Sequence, residues 1–260
     1  MYTASTSPQP LNVVSTEKLA RFGTMYEDEI GRVFRYCRAG ATALVGGTVC
    51  VMPATQASSW ARTLQATNFS NDAVATYGNT VGVSLGTAPT ENQWVDGIVG
   101  YGRNSTGLVQ SASIAGHTNG STSAAFFVDQ RAPRGTTVDG IGSVRAGVTV
   151  SPYNGVVASP TDIATPPVCV AQFPVAANGY FWGLVRGLGI AAMTGTCVAG
   201  DMVMLSTATA GSVAAYILTV PSGTDAAGGT LTPAQQFPIG WAINPDSTYA
   251  DIGTVLFNLP

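Results

Sequence analysis

The sequence predicts an all-β protein, with a β-sandwich or barrel-like body of short antiparallel strands that forms one body or two β subdomains. Aromatic and branched residues occur in short runs interrupted by Gly and Gly-Asp steps, as in residues 179–185 followed by Gly200-Asp201. Such runs are typical of strands joined by tight turns. No apolar run in the 260 residues approaches the roughly 18 that a membrane-spanning helix needs.

Residues 1–25 are expected to form an extended N-terminal arm. Pro8 and Pro10 favour extended backbone, and Ser15 could cap a short helical turn near residues 15–21. The arm also carries apolar side chains that a solvated tail would not need, namely Leu11, Val13, Val14, Leu19 and Phe22. We therefore expect the arm to dock on a partner and to become ordered there. The alternative is a disordered terminus.

Residues 26–157 make up the first predicted β region. Between Gly31 and Arg38 both alternating faces carry apolar or aromatic side chains, which predicts a strand covered on both sides. Gly46-Gly47 is a hairpin signal, and residues 53–72 predict a long irregular loop of the kind that often has an interactive role. Further strand-like runs follow at 81–85, 94–101, 124–128 and 144–150.

Residues 158–260 make up the second predicted β region, which is either separate or part of one body with the first. The Pro-rich stretch 152–167 is the best candidate for the boundary between them. Residues 179–205 show the clearest strand-and-turn pattern, and we expect the rest of the chain to be organised around them. Two more strand-like runs follow at 237–243 and 252–257.

The composition is poor in charge, which is typical of a chain that hides surface in an assembly. Charged residues make up 10% of the chain, against roughly 25% in an average domain. A Gly-, Ala- and Thr-rich β-protein with a neutral surface is an equally weighted alternative. The net charge of −3 gives no basic patch for nucleic acid. We therefore expect no nucleic-acid partner and no membrane partner.

The residues that could carry chemistry give no candidate catalytic, metal or cofactor site, so we expect no enzyme. The single histidine, His117, lies in a turn-like sequence without a Gly-x-Ser-x-Gly elbow, and we expect it to be exposed. Glu27-Asp28-Glu29 predicts a solvated turn, and the calcium-loop and phosphate-loop patterns are missing. Scattered cysteines and the lack of a signal-peptide pattern predict buried, reduced thiols. The cysteines are Cys37, Cys50, Cys169 and Cys197.

The order of several segments along the chain resembles one known family. The segments are residues 29–36, 43–51, 77–80 and 92–97, then Gly179-Tyr180-Phe181-Trp182-Gly183, Gly200-Asp201-Met202-Val203, Pro238-Ile239-Gly240-Trp241-Ala242 and a hydrophobic last strand. Together they span most of residues 26–260. In this order they resemble the decoration, or cement, proteins of tailed-bacteriophage capsids.

The resemblance implies a structural virion protein on the outer capsid surface, which binds the major capsid protein and bridges neighbouring subunits. It also implies self-association, because capsid lattices offer three-fold positions. A homotrimer is expected first, with a dimer as the alternative. Arginine is favoured at interfaces, so the expected contacts combine the apolar residues of the arm with two arginines. These are Leu11, Val13, Val14, Leu19, Phe22, Arg32 and Arg35.

Two other functions are open on the sequence alone. A receptor- or carbohydrate-binding module of a phage fibre or spike would use exposed Trp and Tyr side chains to stack on sugars. A polysaccharide-degrading enzyme on a β scaffold would need two carboxylates on opposite sides of a bound sugar. Capsid binding separates the first alternative from a decoration protein, and loss of depolymerisation after carboxylate replacement would identify the second.

Overall fold

The structure is a computed structural model, and it contains strands but no helix among the residues it describes. The described residues are 8–52, 59–63, 80–84, 94–103, 108–117, 123–128, 144–161, 165–216, 238–245 and 252–259. They confirm the predicted all-β class. The chain divides into two compact units. A discontinuous unit combines residues 1–53 with 152–260, and an inserted unit comprises residues 54–151.

Strands within the described residues are short, and most have three to seven residues. In chain order they are β1 Met25–Glu27, β2 Val33–Ala39, β3 Val49–Val51, β4 Ser59–Thr63, β5 Thr80–Ser84, β6 Ile98–Arg103, β7 Leu108–His117, β8 Ser123–Val128, β9 Val144–Thr149, β10 Asn154–Ala158, β11 Pro167–Val170, β12 Tyr180–Ala192, β13 Met202–Leu205, β14 Val213–Ala215, β15 Gly240–Pro245 and β16 Ile252–Asn258. The longest of them is β12. It lies within residues 179–205, which were predicted from the sequence to be the organising stretch of the chain.

Five strands of the discontinuous unit close into a barrel. Their order is β2–β10–β3–β11–β12, and β12 pairs back to β2. The β2–β10 pair is parallel and the other four pairs are antiparallel. Residues on both alternating faces of β2 are buried, as the sequence predicted for this strand. Because a closed sheet has no free edge, each barrel strand pairs with a neighbour on either side.

Strand β12 extends beyond the barrel and connects it to a second set of strands. Its residues up to Arg186 pair with β2, and those from Arg186 to Ala192 pair with β16. The sheet then continues through β15, β13 and β14. The pairing with β2 shifts register between Leu184 and Arg186, and Gly187 follows with a φ of 103°. Glycine adopts such a φ without strain, so Gly187 suits the point where β12 leaves the barrel.

Two local predictions are wrong. Gly46-Gly47 does not join a hairpin, because Leu44 bridges the segment after β11 while β3 pairs with β10 and β11. No helical turn forms at residues 15–21, because Ser15 bridges Tyr180 at the start of β12. In both places a pairing with a distant strand replaces the local structure that the sequence pattern favours.

The structure divides the chain at two points, and one of them, between residues 151 and 152, lies at the start of the predicted boundary stretch 152–167. The predicted division between residues 157 and 158 lies inside β10, a barrel strand. The inserted unit interrupts the barrel between β3 and β10 instead. Part of the long loop predicted at 53–72 forms β4, and the rest of that loop lies outside the described residues.

The inserted unit contains a six-stranded antiparallel sheet in the order β4–β9–β6–β7–β8–β5. Three predicted runs correspond closely to β5, β8 and β9. The run predicted at 94–101 starts too early, because residues 94–96 form a turn before β6. Val99, Ile114 and Val148 are buried in this unit, so the sheet has an apolar core of its own.

Three cysteines meet inside the barrel. Cys37 on β2 and Cys169 on β11 belong to strands that are not neighbours, yet their Sγ atoms are 3.7 Å apart. Both side chains must therefore point into the barrel interior. Cys50 on β3 lies opposite Cys169, and the two thiols are hydrogen-bonded. These three residues are fully buried free thiols, whereas Cys197 is a free thiol that is partly exposed.

These thiols are expected to make the protein sensitive to alkali. A hydrogen bond to Cys169, and then burial, raises the pKa of Cys50 well above the ordinary thiol value. A hydrogen bond to Cys37, together with burial, raises the pKa of Cys169 in the same way and outweighs the lowering effect of its bond to Cys50. The stability that comes from keeping them protonated is complete below the unfolded thiol pKa of about 8.5 and is lost as pH rises towards the folded value. The free energy of unfolding, measured with urea from neutral to alkaline pH, should therefore fall above about pH 8.5.

The variant Cys50→Ala tests this assignment, because it removes one of the two thiols. Its stability at neutral pH should be lower, since truncating a buried side chain leaves a cavity. Its loss of stability between neutral and alkaline pH should nevertheless be shallower than in the native protein. An equally steep loss would show that other groups cause the alkaline sensitivity.

Candidate interaction surface

The first described residues, 8–24, form an N-terminal segment that lies against the outer face of β2 and β12. Ser15 exchanges two backbone hydrogen bonds with Tyr180, with N···O distances of 2.9 and 2.8 Å. Gln9 is 1% exposed, and its Nε2 donates to the Tyr180 carbonyl at 3.1 Å. The indole Nε1 of Trp182 donates to the Gln9 carbonyl, also at 3.1 Å. The predicted arm therefore docks on its own chain, whereas the sequence predicted docking on a partner.

The five apolar residues expected to contact a partner separate into two groups. Leu11, Val14 and Phe22 are partly buried and pack against the core of the discontinuous unit. The Phe22 ring stacks nearly parallel to that of Tyr180, with centroids 6.0 Å apart. Val13 and Leu19 are instead 44% and 46% exposed. Val13 and Leu19 are consequently the two of these side chains that present substantial apolar surface to solvent.

The two predicted contact arginines already have partners within the chain. Arg32 Nε donates to a carboxylate oxygen of Asp28 at 2.7 Å. The guanidinium of Arg32 also lies 5.3 Å from the centre of the Phe34 ring. Arg35 donates from Nη1 to the Gly23 carbonyl at 2.8 Å. Both arginines thus help to hold local structure, and any partner contact would add to these bonds.

A groove of about 390 Å³ lies beside the N-terminal segment. Its lining brings together the segment, the residues around the start of β2, the loop after β11 and the outer half of β12. The lining residues include Leu11, Arg32, Phe34, Phe173, Leu188 and Ile190. The groove is mainly apolar with a guanidinium among its lining residues, a combination that is common at protein interfaces.

The groove has a well-defined wall because the side chain of Gln172 pairs with the backbone of β12. Its Oε1 accepts from Ile190 N at 2.9 Å, and its Nε2 donates to Ile190 O at 3.2 Å. The amide thus occupies the strand edge opposite β16 in the manner of a neighbouring strand. This satisfies backbone groups that an edge would otherwise leave unpaired.

An exposed apolar face adjoins the groove on the outer side of β12, β16 and β15. Leu256 lies directly opposite Leu188 on one side and Trp241 on the other. These three side chains are 41%, 46% and 44% exposed. We call this surface the apolar face, and its large exposed residues are Leu188, Ile190, Trp241, Ile243, Ile252 and Leu256. Contiguous apolar surface of this kind marks interaction sites more often than scattered apolar residues do.

The apolar face was not predicted from the sequence, although the last strand carries a signal for it. Ile252 and Leu256 are exposed, whereas Val255 and Phe257 on the other side of β16 are buried. A strand of an antiparallel sheet with one solvated face usually alternates apolar and polar residues. Large apolar residues on both faces therefore indicate that something covers each side of the strand.

The position of His117 corrects the expectation of an exposed turn histidine. His117 ends β7 and is 2% exposed. Its Nε2 accepts a hydrogen bond from the backbone N of Trp94 at 3.0 Å, and its ring lies 5.1 Å from that of Phe126. His117 therefore belongs to an aromatic cluster inside the inserted unit. Within the described residues, no three His, Cys, Asp or Glu side chains are grouped so as to hold a metal ion.

Comparisons with protein-family models, with curated proteins and with solved structures give no match for this chain. The family that the order of segments resembles therefore stays a prediction. In the described part of the chain, no helix has the length and apolar character needed to cross a membrane.

Proposed function

We propose that this chain is a structural virion protein that decorates the outer surface of a bacteriophage capsid. It would cement the shell by binding across neighbouring subunits of the major capsid protein, and it would do so as a homo-oligomer, with a trimer first and a dimer as the alternative. The observation that carries the proposal is the groove beside the N-terminal segment, with exposed Val13 and Leu19 on that segment. The order of segments that resembles decoration proteins supports the choice of partner.

The proposed mechanism is mechanical and assigns no catalytic residue, metal or cofactor. A specific protein interface buries roughly 1,200–2,000 Å² in total. Two capsid subunits bridged by this chain could separate only after that contact had been lost. An oligomer that binds at several points multiplies the effect, because each further contact forms at a high effective concentration. Decoration would therefore raise the temperature at which the shell opens.

Co-sedimentation with purified capsids of the phage that encodes this chain tests the proposal. We expect saturable binding with a fixed number of copies per shell, and an increase in the temperature at which the shell opens. The double variant Val13→Asp, Leu19→Asp should weaken binding by about tenfold or more, because it places charge on the proposed contact. The double variant Ile30→Asp, Val45→Asp is a matched control, since these side chains are 74% and 69% exposed and lie outside both the N-terminal segment and the groove lining. Absence of binding by the native chain would refute the proposal.

A receptor- or carbohydrate-binding module is the second candidate, and exposed Trp241 is the observation that favours it. Its indole is 44% exposed, and a flat aromatic side chain can stack on a sugar ring. Titration of host surface polysaccharide, followed by tryptophan fluorescence, would then show saturable binding that Trp241→Ala abolishes. Binding of polysaccharide without binding of capsids would favour this function over decoration.

A further inference from the structure

We propose that copies of this chain associate through the apolar face on the outer side of β12, β16 and β15. This inference rests on the self-association that is part of the proposed function, and it names the surface that would be used. The face is centred on Leu256, whereas the proposed capsid contact combines the groove with Val13 and Leu19. The face and the groove share Leu188 and Ile190, but Leu256, Val13 and Leu19 each belong to one surface only. Variants at Leu256 and variants at Val13 and Leu19 can therefore test the two contacts separately.

The apolar face is continuous because its central residues lie in register on adjacent strands. Leu188 on β12, Leu256 on β16 and Trp241 on β15 are direct cross-strand neighbours. Met202 on β13 lies opposite Trp241 and extends the same row. Opposed residues in antiparallel strands have Cβ atoms about 4.5–5.5 Å apart, so these side chains form one surface. Ile252 lies on the same side of β16 as Leu256, two alternations away.

The area of the face matches what a stable self-interface needs. Six large side chains, each 41–52% exposed, together present roughly 400–500 Å² of apolar surface. A standard interface buries about 800 Å² on each partner, and about 65% of it is apolar in homodimers, or roughly 520 Å². The apolar face would therefore supply nearly all of the apolar contact that one copy contributes.

The charges favour a second copy over a strongly charged partner. Among the described residues of β12, β16 and β15, Arg186 is the charged one, and it lies at one end of the face opposite Asn258. A highly charged partner would find little on this surface to pair with. Two copies would bring together uncharged centres, and a net charge of −3 per chain causes little repulsion at long range.

The geometry of the face suits contact between like surfaces. Antiparallel sheets pack face to face about 10 Å apart, with side chains of the two inner faces interdigitating. A two-fold axis brings the same surface of two copies into contact, whereas a three-fold ring joins two different patches of each copy. Face-to-face packing of this sheet on its copy therefore corresponds to a two-fold pair, the dimer alternative of the proposed function.

Replacing Leu256 with lysine tests the inference, because it places a charge at the centre of the face. Leu256 is 41% exposed and its neighbour Val255 is fully buried, so Leu256→Lys should leave the fold intact. Light scattering after size-exclusion chromatography should show a native oligomer at micromolar concentration. Leu256→Lys should weaken its association by about tenfold or more. Ile30→Lys is the matched control, since Ile30 is 74% exposed and lies in a turn before β2.

The inference is wrong if the native protein is monomeric throughout the micromolar range. It is also wrong if the Leu256→Lys protein associates as tightly as the Ile30→Lys control. Fluorine NMR of protein labelled with fluorotryptophan adds a second readout, with the Trp241 signal assigned by Trp241→Phe. Burial of Trp241 that increases with protein concentration supports contact between copies. Protection of Trp241 that persists in monomeric Leu256→Lys protein would mean that another part of the same chain covers the face, and exposure at every concentration would mean that nothing does. Either of the last two outcomes overturns the inference.

Capsid binding separates failure of this inference from failure of the proposed function. Leu256→Lys that is monomeric and still binds capsids, with lower avidity, supports both. A native protein that decorates capsids as a monomer supports the function and overturns the inference. A native oligomer that depends on Leu256 but binds no capsid supports the inference and overturns the proposed function.

Discussion

Replacing Trp182 with alanine is expected to lower the free energy of unfolding by about 3–5 kcal/mol. Trp182 is 1% exposed. Its ring lies 5.1 Å from that of Tyr36 in an edge-to-face arrangement and 5.7 Å from that of Tyr26. Its indole N–H also holds the carbonyl of Gln9. Alanine would leave a cavity between the barrel and the N-terminal segment, and urea denaturation followed by circular dichroism would measure the loss.

The conservative variant Trp182→Phe separates packing from hydrogen bonding. It keeps most of the ring but cannot donate to Gln9, so we expect a smaller loss of about 1–2 kcal/mol. Both variants should loosen the N-terminal segment and expose it to trypsin at Lys18 and Arg21. Unchanged resistance of these two sites in Trp182→Ala protein would contradict the role of Trp182 in holding the segment.

Replacing Gly183 with alanine is expected to destabilise the barrel by about 3 kcal/mol, at the upper end of the usual cost of overpacking. A Cβ at this position would lie 2.7 Å from both Cβ and Sγ of Cys169 and 3.3 Å from Sγ of Cys37. Both cysteines are fully buried, and the closed barrel gives their strands little freedom to move apart. The expected result is a lower urea midpoint at neutral pH.

A double-mutant cycle with Cys169→Ala tests whether this crowding is the cause. Removing Sγ relieves one of the two closest contacts, although the Cβ of residue 169 remains. The cost of Gly183→Ala should therefore be smaller in the Cys169→Ala background than in the native one. If the two costs simply add, the crowding with Sγ is not what destabilises the protein.

Many of the strands could be predicted from the sequence, although β4 and β10 could not, and neither could the arrangement of the strands. Strands such as β2 and β16 are local runs of branched and aromatic residues, and such runs determine where a strand forms. Barrel closure depends instead on pairings such as that of Asn154 with Arg38. In sequence, Arg38 precedes the inserted unit and Asn154 follows it. No local pattern encodes a partner that far away. For this reason the division predicted between residues 157 and 158 falls inside β10, a few residues after the division between residues 151 and 152.

The candidate site was predicted only in part. A sequence shows that an apolar residue needs cover, but it does not show whether the same chain or a partner provides that cover. Leu11, Val14 and Phe22 were predicted to contact a partner, whereas in the structure they pack against the core of their own chain. Ile252 and Leu256 needed a contact too, and the described residues leave them exposed. His117 looked like a turn residue because Gly116 and Gly120 flank it, although aromatic neighbours from other segments bury it.

The position of the inserted unit has a consequence for the order in which the chain folds. Val51 at the end of β3 pairs with Val157 on β10, so the barrel cannot close during translation until residues 54–151 have left the ribosome. Pairings between residues distant in sequence form slowly, since closing a long loop costs entropy before any contact repays it. The nascent β2 and β3 must therefore wait for β10, β11 and β12. Barrel assembly becomes a late, slow event in folding. Until it is complete, β2 exposes an unpaired strand edge and apolar side chains, which favour aggregation.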